Sequence, residues 1–339
     1  RVNRLANALA ERGVGAGDHV AVLMDNHPDY LTSLVALNRL GAVGVLLNAG
    51  ASGEALEHAL RAGEARTIIV DLAHLDAAVP IVDAENILLL GARALDASCF
   101  DFETLVSAMS EELRGDLEPN TGRADDLALL LYTSGTTGMP KAARITNRRW
   151  FTAATASAVA AGLSHTDTVY CCLPLYHATG LLLGAGGALV GGCRLAIGKK
   201  FSTSNFWADV HRFGVTVVFY VGEVCRYLIS APEMGNEKNH SIRLFMGNGL
   251  RADVWSQLIH RFGRVRILEL YGSTEGNVVL ANLTGEKVGS VGRVPLGLAT
   301  IELVRYDVAV DRFERDEGGS LIPCDDDEPG MLLAKIHTN

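Results

Sequence analysis

The chain has 339 residues, of which 48% are hydrophobic and 20% are charged, and its formal net charge is −9. This composition indicates a globular protein with a sizeable core and two or three subdomains, not a disordered chain. The acidic balance argues against nucleic acid as a partner, because phosphate backbones require clustered Lys and Arg. Only two small basic clusters occur, and solvated edges explain both: Arg144, Arg148 and Arg149, then Lys199 and Lys200.

Cysteine spacing and hydropathy indicate in which cellular compartment the protein is expected. The six cysteines form no CxxC pair, so neither a zinc site nor a redox motif is indicated, and most lie in apolar runs. No signal peptide starts the chain. Residues 178–198 are long and apolar enough to consider as a membrane span, but their glycines and Arg194 favour a buried helix followed by a strand. We expect a cytoplasmic protein, with peripheral membrane contact left open.

Helical and strand patterns alternate through the first part of the chain. The chain starts abruptly at Arg1, already inside a helical pattern, which predicts a fragment. The patterns predict helices over 2–12, over 28–40 before Gly41, and over 52–62 with Ser52 as the cap, and strands over 20–24, 43–47, 67–70 and 86–90. Residues 98–120 are polar and acidic and indicate a linker with one short helix.

A second alternating series begins at Leu127. It predicts strands over 127–132, 168–173, 193–197, 215–220, 242–246 and 266–270, and helices over 147–161, 203–213, 222–230 and 252–262. Short apolar strands separated by helices predict an α/β fold with two parallel-rich sheets flanked by helices. Short runs at 288–294, 299–305 and 331–336 predict a small β-rich subdomain. The expected subdomains are therefore 1–120, 121–277 and 278–339.

The segment from Tyr132 to Lys141, YTSGTTGMPK, carries the strongest functional signal. It follows an apolar strand and combines glycines, hydroxyl side chains and a lysine: Thr133, Ser134, Gly135, Thr136, Thr137, Gly138 and Lys141. Glycines let the backbone approach a ligand, and hydroxyls with an ammonium supply donors for an anion, which favours a polyphosphate. The segment is not a P-loop, because that pattern requires Gly-Lys-Ser/Thr.

Further polar motifs follow later strands of the series. Ligands of parallel sheets bind at the carboxyl ends of strands, so motifs on such loops are expected to share one site. The motifs are His177 in PLYHATG, the loop of Tyr220, Val221 and Gly222, the turn of Gly247, Asn248 and Gly249, and Tyr271, Gly272, Ser273, Thr274 and Glu275 in YGSTEGN. From the residues alone, His177 is better explained as a structural histidine, and Asn248-Gly249 as a plain turn.

Together these motifs resemble the adenylate-forming, AMP-binding superfamily, which includes acyl-CoA synthetases, luciferases and nonribosomal adenylation domains. The segments KKFS, FW, YVGE, CRYL and GNGL between Lys199 and Leu250 are similar to one branch, the fatty-acid transport proteins or very-long-chain acyl-CoA synthetases. The resemblance runs from about Arg1 to Ile336. It implies the large N-terminal domain of such an enzyme.

The resemblance also implies roles for residues of this chain. Residues 133–138 and Lys141 would hold phosphates, and Gly247 to Gly249 would lie against adenine with Tyr271 stacked on it. Thr274 would donate to the α-phosphate, and Glu275 would hold Mg²⁺. His177 with Tyr220, Val221 and Gly222 would border the acyl group, and Lys141, His177, Thr274 and Glu275 would carry the chemistry.

The implied reaction is ATP-dependent activation of a long or very-long-chain fatty acid to acyl-AMP, followed by transfer to coenzyme A. Adenylation of an aryl or bile acid, or transfer to a carrier protein, remains open, as does a non-catalytic lipid-binding or transport module. Relatives carry a further C-terminal domain whose lysine steers adenylation; no Thr-Gly-Asp motif follows Ile336, and Asn147 stands where many relatives have His. We therefore expect low activity from this chain alone.

Overall fold

The structure is a computed structural model. It describes residues 1–91, 99–115, 117, 122–133, 138–235, 237–263, 265–276, 278–295 and 300–335. Ser134, Gly135, Thr136 and Thr137, which belong to the predicted phosphate loop, lie outside the described residues.

The described strands form two large sheets and two small ones. The first sheet has the order β5-β4-β3-β1-β2-β6-β7 and is parallel except for β7. Its strands are β1 His19–Leu23, β2 Val43–Leu46, β3 Thr67–Asp71, β4 Ile87–Leu90, β5 Phe100–Asp101, β6 Leu127–Thr133 and β7 Lys141–Thr146.

The second sheet has the order β13-β12-β11-β10-β8-β9 and is parallel except for β13. Its strands are β8 Thr168–Cys171, β9 Arg194–Ile197, β10 Val217–Val221, β11 Leu244–Asn248, β12 Arg266–Gly272 and β13 Val279–Asn282. The small antiparallel sheets pair β14 Ile301–Val304 with β17 Met331–Ala334, and β15 Tyr306–Asp307 with β16 Arg312–Phe313.

Helices connect these strands and cover the faces of the sheets. They are α1 Val2–Glu11, α2 Pro28–Leu40, α3 Gly53–Ala62, α4 Leu75–Ala78, α5 Phe102–Ala108, α6 Asn147–Ala161, α7 Gly186–Gly191, α8 Thr203–Phe213, α9 Gly222–Ser230 and α10 Ala252–Phe262, with single 3₁₀ turns at Leu72–His74 and Ala84–Asn86 and a π-helical segment at Thr179–Ala185. The predicted α/β fold class with two parallel-rich sheets is confirmed.

Helix ends follow ordinary capping rules at several positions. The Thr146 hydroxyl accepts from the Arg149 N–H at the start of α6, and α6 ends at Gly162 in the left-handed conformation. Asp101 caps α5 in the same way. Ser52 stands at the N-cap position of α3, as predicted, but its side chain makes no capping hydrogen bond.

Several strand assignments differ from the sequence prediction. The strand that begins at Leu127 pairs with β2 and therefore belongs to the first sheet, so the sheets do not divide at the boundary expected near residue 120. The predicted linker contains β5, which extends the first sheet. Residues 288–294 form no strand beyond one bridge from Arg293 to Ala281. The sequence did not predict β7 or β13, because each is a partly exposed strand at the edge of its sheet with antiparallel pairing.

The layer between the sheets is apolar. Leu181, Leu182 and Ala185 of the π-helical segment pack in the same buried cluster as residues from α1, α2 and the first sheet. The stretch 178–198 therefore forms helical turns followed by β9, as predicted. No helix within the described ranges combines the length and apolar character needed to cross a bilayer.

An ion pair joins the amino ends of the second sheet. Both oxygens of buried Asp167 accept from the Arg243 guanidinium at 2.9 Å, and the Thr216 hydroxyl donates at 2.7 Å. These donors, Arg243 first among them, lower the pKa of Asp167 to about 2. Each of the three residues directly precedes a strand: Asp167 precedes β8, Thr216 precedes β10 and Arg243 precedes β11. Their contacts therefore fix how the three strands align.

We predict that Asp167→Asn lowers the free energy of unfolding by about 2 kcal/mol at neutral pH. Because the folded pKa lies below the unfolded one, this contribution is present above the unfolded pKa and is lost as the pH falls toward about 2. Urea unfolding of both proteins between pH 7 and pH 2 checks this. A difference that stays constant over that range contradicts it.

Candidate active site

The carboxyl ends of β10 and β11 approach each other unusually closely. A Cβ atom on Gly247 would lie 2.0 Å from the Tyr220 carbonyl oxygen, and one on Gly222 would lie 1.9 Å from the Gly249 carbonyl oxygen. Gly249 itself has a φ of 79°. Only glycine fits these positions, so the predicted acyl-side loop and the predicted adenine loop are in direct backbone contact.

The segment that follows His177 joins the same group of loops. The Thr179 hydroxyl donates to the Asn248 side-chain oxygen at 3.2 Å. His177 stacks at a tilt against Tyr176, with ring centroids 4.6 Å apart. Although part of the ring reaches solvent, desolvation by its neighbours lowers the pKa of His177, which favours a neutral imidazole at physiological pH.

The ring of Tyr271 projects from the end of β12 and remains 49% exposed. An exposed aromatic face beside a glycine-rich loop can stack on a planar base. The turn beyond it is tight, because a Cβ on Gly276 would lie 2.3 Å from the Ser273 hydroxyl oxygen, and Thr274 is half-buried within it.

A contact between the two sheets joins this turn to the phosphate-loop strand. The Thr133 hydroxyl, at the end of β6, donates to a Glu275 carboxylate oxygen at 2.5 Å. Lys141 begins β7 directly opposite Thr133 in the antiparallel register, and its side chain is exposed. Gly138 lies just before it with a φ of 89°. The structure therefore brings Thr133 into contact with Glu275 and places Lys141 on the strand beside Thr133.

The geometry suits a hydrated cation bound through a nucleotide. Mg²⁺ in such sites takes one or two carboxylates and completes its shell with phosphate oxygens and water. Glu275 would supply one carboxylate, and the Thr133 hydroxyl would supply a further oxygen. Within the described residues, no cluster of three or more His, Cys, Asp or Glu side chains forms a metal site built from protein alone.

The side chain of Tyr220 occupies a different place from the one predicted. It is fully buried, and its hydroxyl donates at 2.5 Å to Glu269, a buried residue of β12. A side chain enclosed in this way cannot line a substrate pocket. Val221 and Gly222, which are half-buried, are the residues of this loop that reach the edge of the site.

Three residues that the motifs did not single out make contacts near the site. The His58 ring contacts the Pro140 carbonyl oxygen at 3.1 Å and so supports the backbone just before Lys141. The buried Asn26 amide donates to the Leu173 and Gly198 carbonyl oxygens, which ties the first sheet to the second. Neither residue belongs to a recognised motif, so the sequence offered no signal for these contacts.

Arg149 is the third such residue, and it is not the solvated edge that the sequence indicated. Its guanidinium donates to the Gly276 carbonyl oxygen at 2.8 Å and to the Glu275 carbonyl oxygen at 3.4 Å. Desolvation lowers the pKa of Arg149, and the nearby Glu275 opposes that shift. Arg149 therefore holds the backbone of the turn that presents Thr274 and Glu275.

Two surface depressions of about 370 Å³ lie away from these loops. One lies beside residues 79–83, and the other lies at the amino ends of β1, β2 and β6. Neither contains a predicted site residue. The chemistry-bearing side chains lie instead along the carboxyl edges of both sheets.

Comparison with known proteins places these features in a family. The family model described as AMP-binding enzyme matches residues 1–322. The chain is 36% identical to long-chain fatty acid transport protein 6 of Mus musculus and 34% identical to the medium/long-chain-fatty-acid–CoA ligase FadD6 of Mycobacterium tuberculosis, in each case over 99% of this chain and 55% of the relative. It thus spans about half the length of these curated relatives.

Solved structures share the fold. A benzoate CoA ligase from Burkholderia xenovorans superposes with a TM-score of 0.79 at 22% identity, and ATP-bound MatB from Rhodopseudomonas palustris with a TM-score of 0.78 at 24% identity. Both comparisons cover 98% of this chain and 63% of the other chain. The agreement extends the fold assignment to nearly the whole chain.

We predict that Arg149→Ala weakens MgATP binding about tenfold, because the turn that carries Glu275 loses its guanidinium donors. Arg149→Lys should recover only part of the affinity, since an ammonium cannot reproduce the forked contact. Arg148→Ala is the matched control, because Arg148 pairs with exposed Asp125 instead of the turn. Calorimetric titration measures all three, and equal affinities for Arg149→Ala and Arg148→Ala would rule the contact out.

Proposed function

Because the chain belongs to the AMP-binding enzyme family, we propose that it forms the ATP- and acyl-binding part of a fatty-acid–CoA ligase. The observation that carries this proposal is the contact from Thr133 to Glu275, which joins the phosphate-loop strand of one sheet to the YGSTEG turn of the other. The fatty-acid substrate is supported by the names of the relatives that are 34–36% identical to the chain.

The proposed first step is an in-line displacement at the α-phosphorus of ATP. A carboxylate oxygen of the fatty acid forms a bond to phosphorus, and the bond to pyrophosphate breaks, giving acyl-AMP. Lys141 neutralises charge on the departing pyrophosphate, and the Thr274 hydroxyl donates to the α-phosphate. Mg²⁺, when bound, supplies further charge neutralisation, and Glu275 with Thr133 are the residues that would hold it.

The remaining residues position the substrates. Tyr271 stacks on adenine while Gly247 to Gly249 lie along its edge. A neutral His177 can donate one N–H to the carboxylate without adding a competing positive charge. Val221 and Gly222 border the acyl chain. In the second step the thiol of coenzyme A attacks the acyl carbon and AMP leaves.

The alternative of a non-catalytic lipid carrier is less well supported. A module that only carried lipid would not require a lysine, a threonine and a glutamate suited to a nucleotide, and Lys141, Thr274 and Glu275 are all present. Adenylation of an aryl or bile acid differs from the proposed reaction only in the pocket that binds the acid. Transfer to a carrier protein differs only in the acceptor. Binding measurements with different acids distinguish the acid classes.

Stable acyl-adenylate analogues test the acid class directly. We expect the hexadecanoyl sulfamoyl-adenosine analogue to bind at least about tenfold more tightly than the benzoyl analogue, because each buried CH₂ contributes about 0.8 kcal/mol. Competition titrations against a fluorescent adenylate give both constants under one condition. Tighter binding of the benzoyl analogue would contradict the fatty-acid assignment while leaving the nucleotide site intact.

Lys141→Ala tests the phosphate side of the site. We expect the substitution to weaken MgATP binding about tenfold and AMP binding much less, because the lysine is assigned to the departing phosphates. The thermal unfolding midpoint should not change, since the side chain is exposed. Lys200→Ala, an exposed lysine elsewhere, is the control. Equal loss of ATP and AMP affinity would contradict the assigned role.

A further inference from the structure

A buried carboxylate lies beneath the loops that form the proposed nucleotide site. Glu269 is 2% exposed and occupies the middle of β12, two residues before Tyr271. Among the described residues no cation pairs with it: it accepts from the Tyr220 hydroxyl on one oxygen and from the Leu250 N–H, at 3.0 Å, on the other. Burial raises the pKa of Glu269, and these donors oppose that shift.

We propose that Glu269 is a positioning residue that holds the acyl-side loop and the adenine loop in register. This rests on the proposed function for the identity of the ligands, but the hydrogen bonds themselves do not depend on it. One oxygen anchors Tyr220 at the end of β10, and the other anchors the backbone of Leu250 after β11.

The packing explains why such an anchor is needed. Gly247 and Gly222 leave no side chains to fill the contact between the two loops, and glycine gives the chain more conformational freedom than other residues. Without an acceptor beneath it, the N–H group of Leu250, a buried residue, would be unpaired, which is costly enough to favour another loop conformation. Glu269 supplies the acceptor from a rigid strand, out of contact with the ligand.

The anchor also extends to the segment that carries His177. Asn248, within the loop that Glu269 holds, accepts from Thr179. Movement of the loop would therefore alter both the surface proposed for adenine and the position of the segment after β8. This arrangement makes the affinity for nucleotide depend on a residue that never touches it.

Hydrogen exchange tests the anchor without any ligand. In Glu269→Leu we expect the amide of Leu250 to exchange at least about tenfold faster than in the wild type, because a buried hydrogen-bond acceptor is lost. Glu269→Gln should stay close to the wild type, since its carbonyl oxygen can accept from the loop while its amide donates to Tyr220. If Glu269→Leu leaves the Leu250 amide protected, or if Glu269→Gln exposes it equally, the anchor is wrong.

Glu237 provides a matched control. It is also a buried glutamate, 5% exposed, but it pairs with Arg261 near the end of α10, away from these loops. We expect Glu237→Leu to lower the thermal unfolding midpoint without faster exchange at Leu250. Faster exchange there in the control would show that any loss of stability loosens the loop, and would overturn the specific role of Glu269.

MgATP titration of the same variants tests the consequence for binding. We expect about a tenfold weaker affinity in Glu269→Leu, recovery in Glu269→Gln, and no change in Glu237→Leu. Wild-type affinity in Glu269→Leu, with its loop amides exposed, would overturn the positioning role. Absence of MgATP binding by the wild type would overturn the proposed function and that role together, while the exchange result would still decide the anchor.

If Glu269→Leu does not fold, Tyr220→Phe replaces it: loss of the hydroxyl should loosen the end of β10, and unchanged exchange there would count against the anchor.

Discussion

The carboxyl ends of β10 and β11 run so close together that Gly222 and Gly247 cannot carry side chains. This constraint brings the two loops into contact and makes one surface from segments that are distant in sequence. It also leaves the N–H of buried Leu250 where neither helix nor strand satisfies it. The carboxylate of Glu269 accepts from this N–H, which is the basis for the proposed anchor.

Two glutamates near this surface have different roles because one is buried and the other is exposed. Glu269 is buried, surrounded by donors and unable to reach a ligand, so it acts on the backbone. Glu275 is exposed at the turn after β12 and bonded to Thr133 of the other sheet, so it can exchange that bond for a ligand. Arg149 holds the backbone of the same turn. The site is thus a set of exposed polar groups on a backbone that buried polar groups hold in place.

Local patterns predicted most of the elements, because helices of 10–15 residues with caps and short apolar strands leave clear signals. The assignment of strands to sheets was less predictable: the pattern from Leu127 onward indicated a new series, yet the strand pairs with β2. Pairing depends on contacts between distant segments, and nothing in a single strand encodes its neighbour. The half-exposed strand from Lys141 was missed for the same reason.

The roles of the motif residues stay predictions, but the structure shows where their strands end. Thr133 contacts Glu275 and Lys141 lies opposite Thr133, since loops at the carboxyl ends of strands meet at one edge. Tyr220 faces inward instead of toward the substrate, because its hydroxyl finds a buried acceptor. Glu269 stands out in the sequence only as a carboxylate in an apolar strand, and a search for buried charge in the strands next to the motifs would have found it.

Photolabelling with 2-azido-ATP, followed by peptide mapping of the labelled protein, tests most directly whether these loops form one nucleotide site. Labelling confined to the peptides that carry Gly247 to Leu250 and Tyr271, and suppressed by excess ATP, is the expected result. Competable labelling at the depression lined by His19, Asn38 and Asn147, at the opposite end of the first sheet, would contradict the central claim.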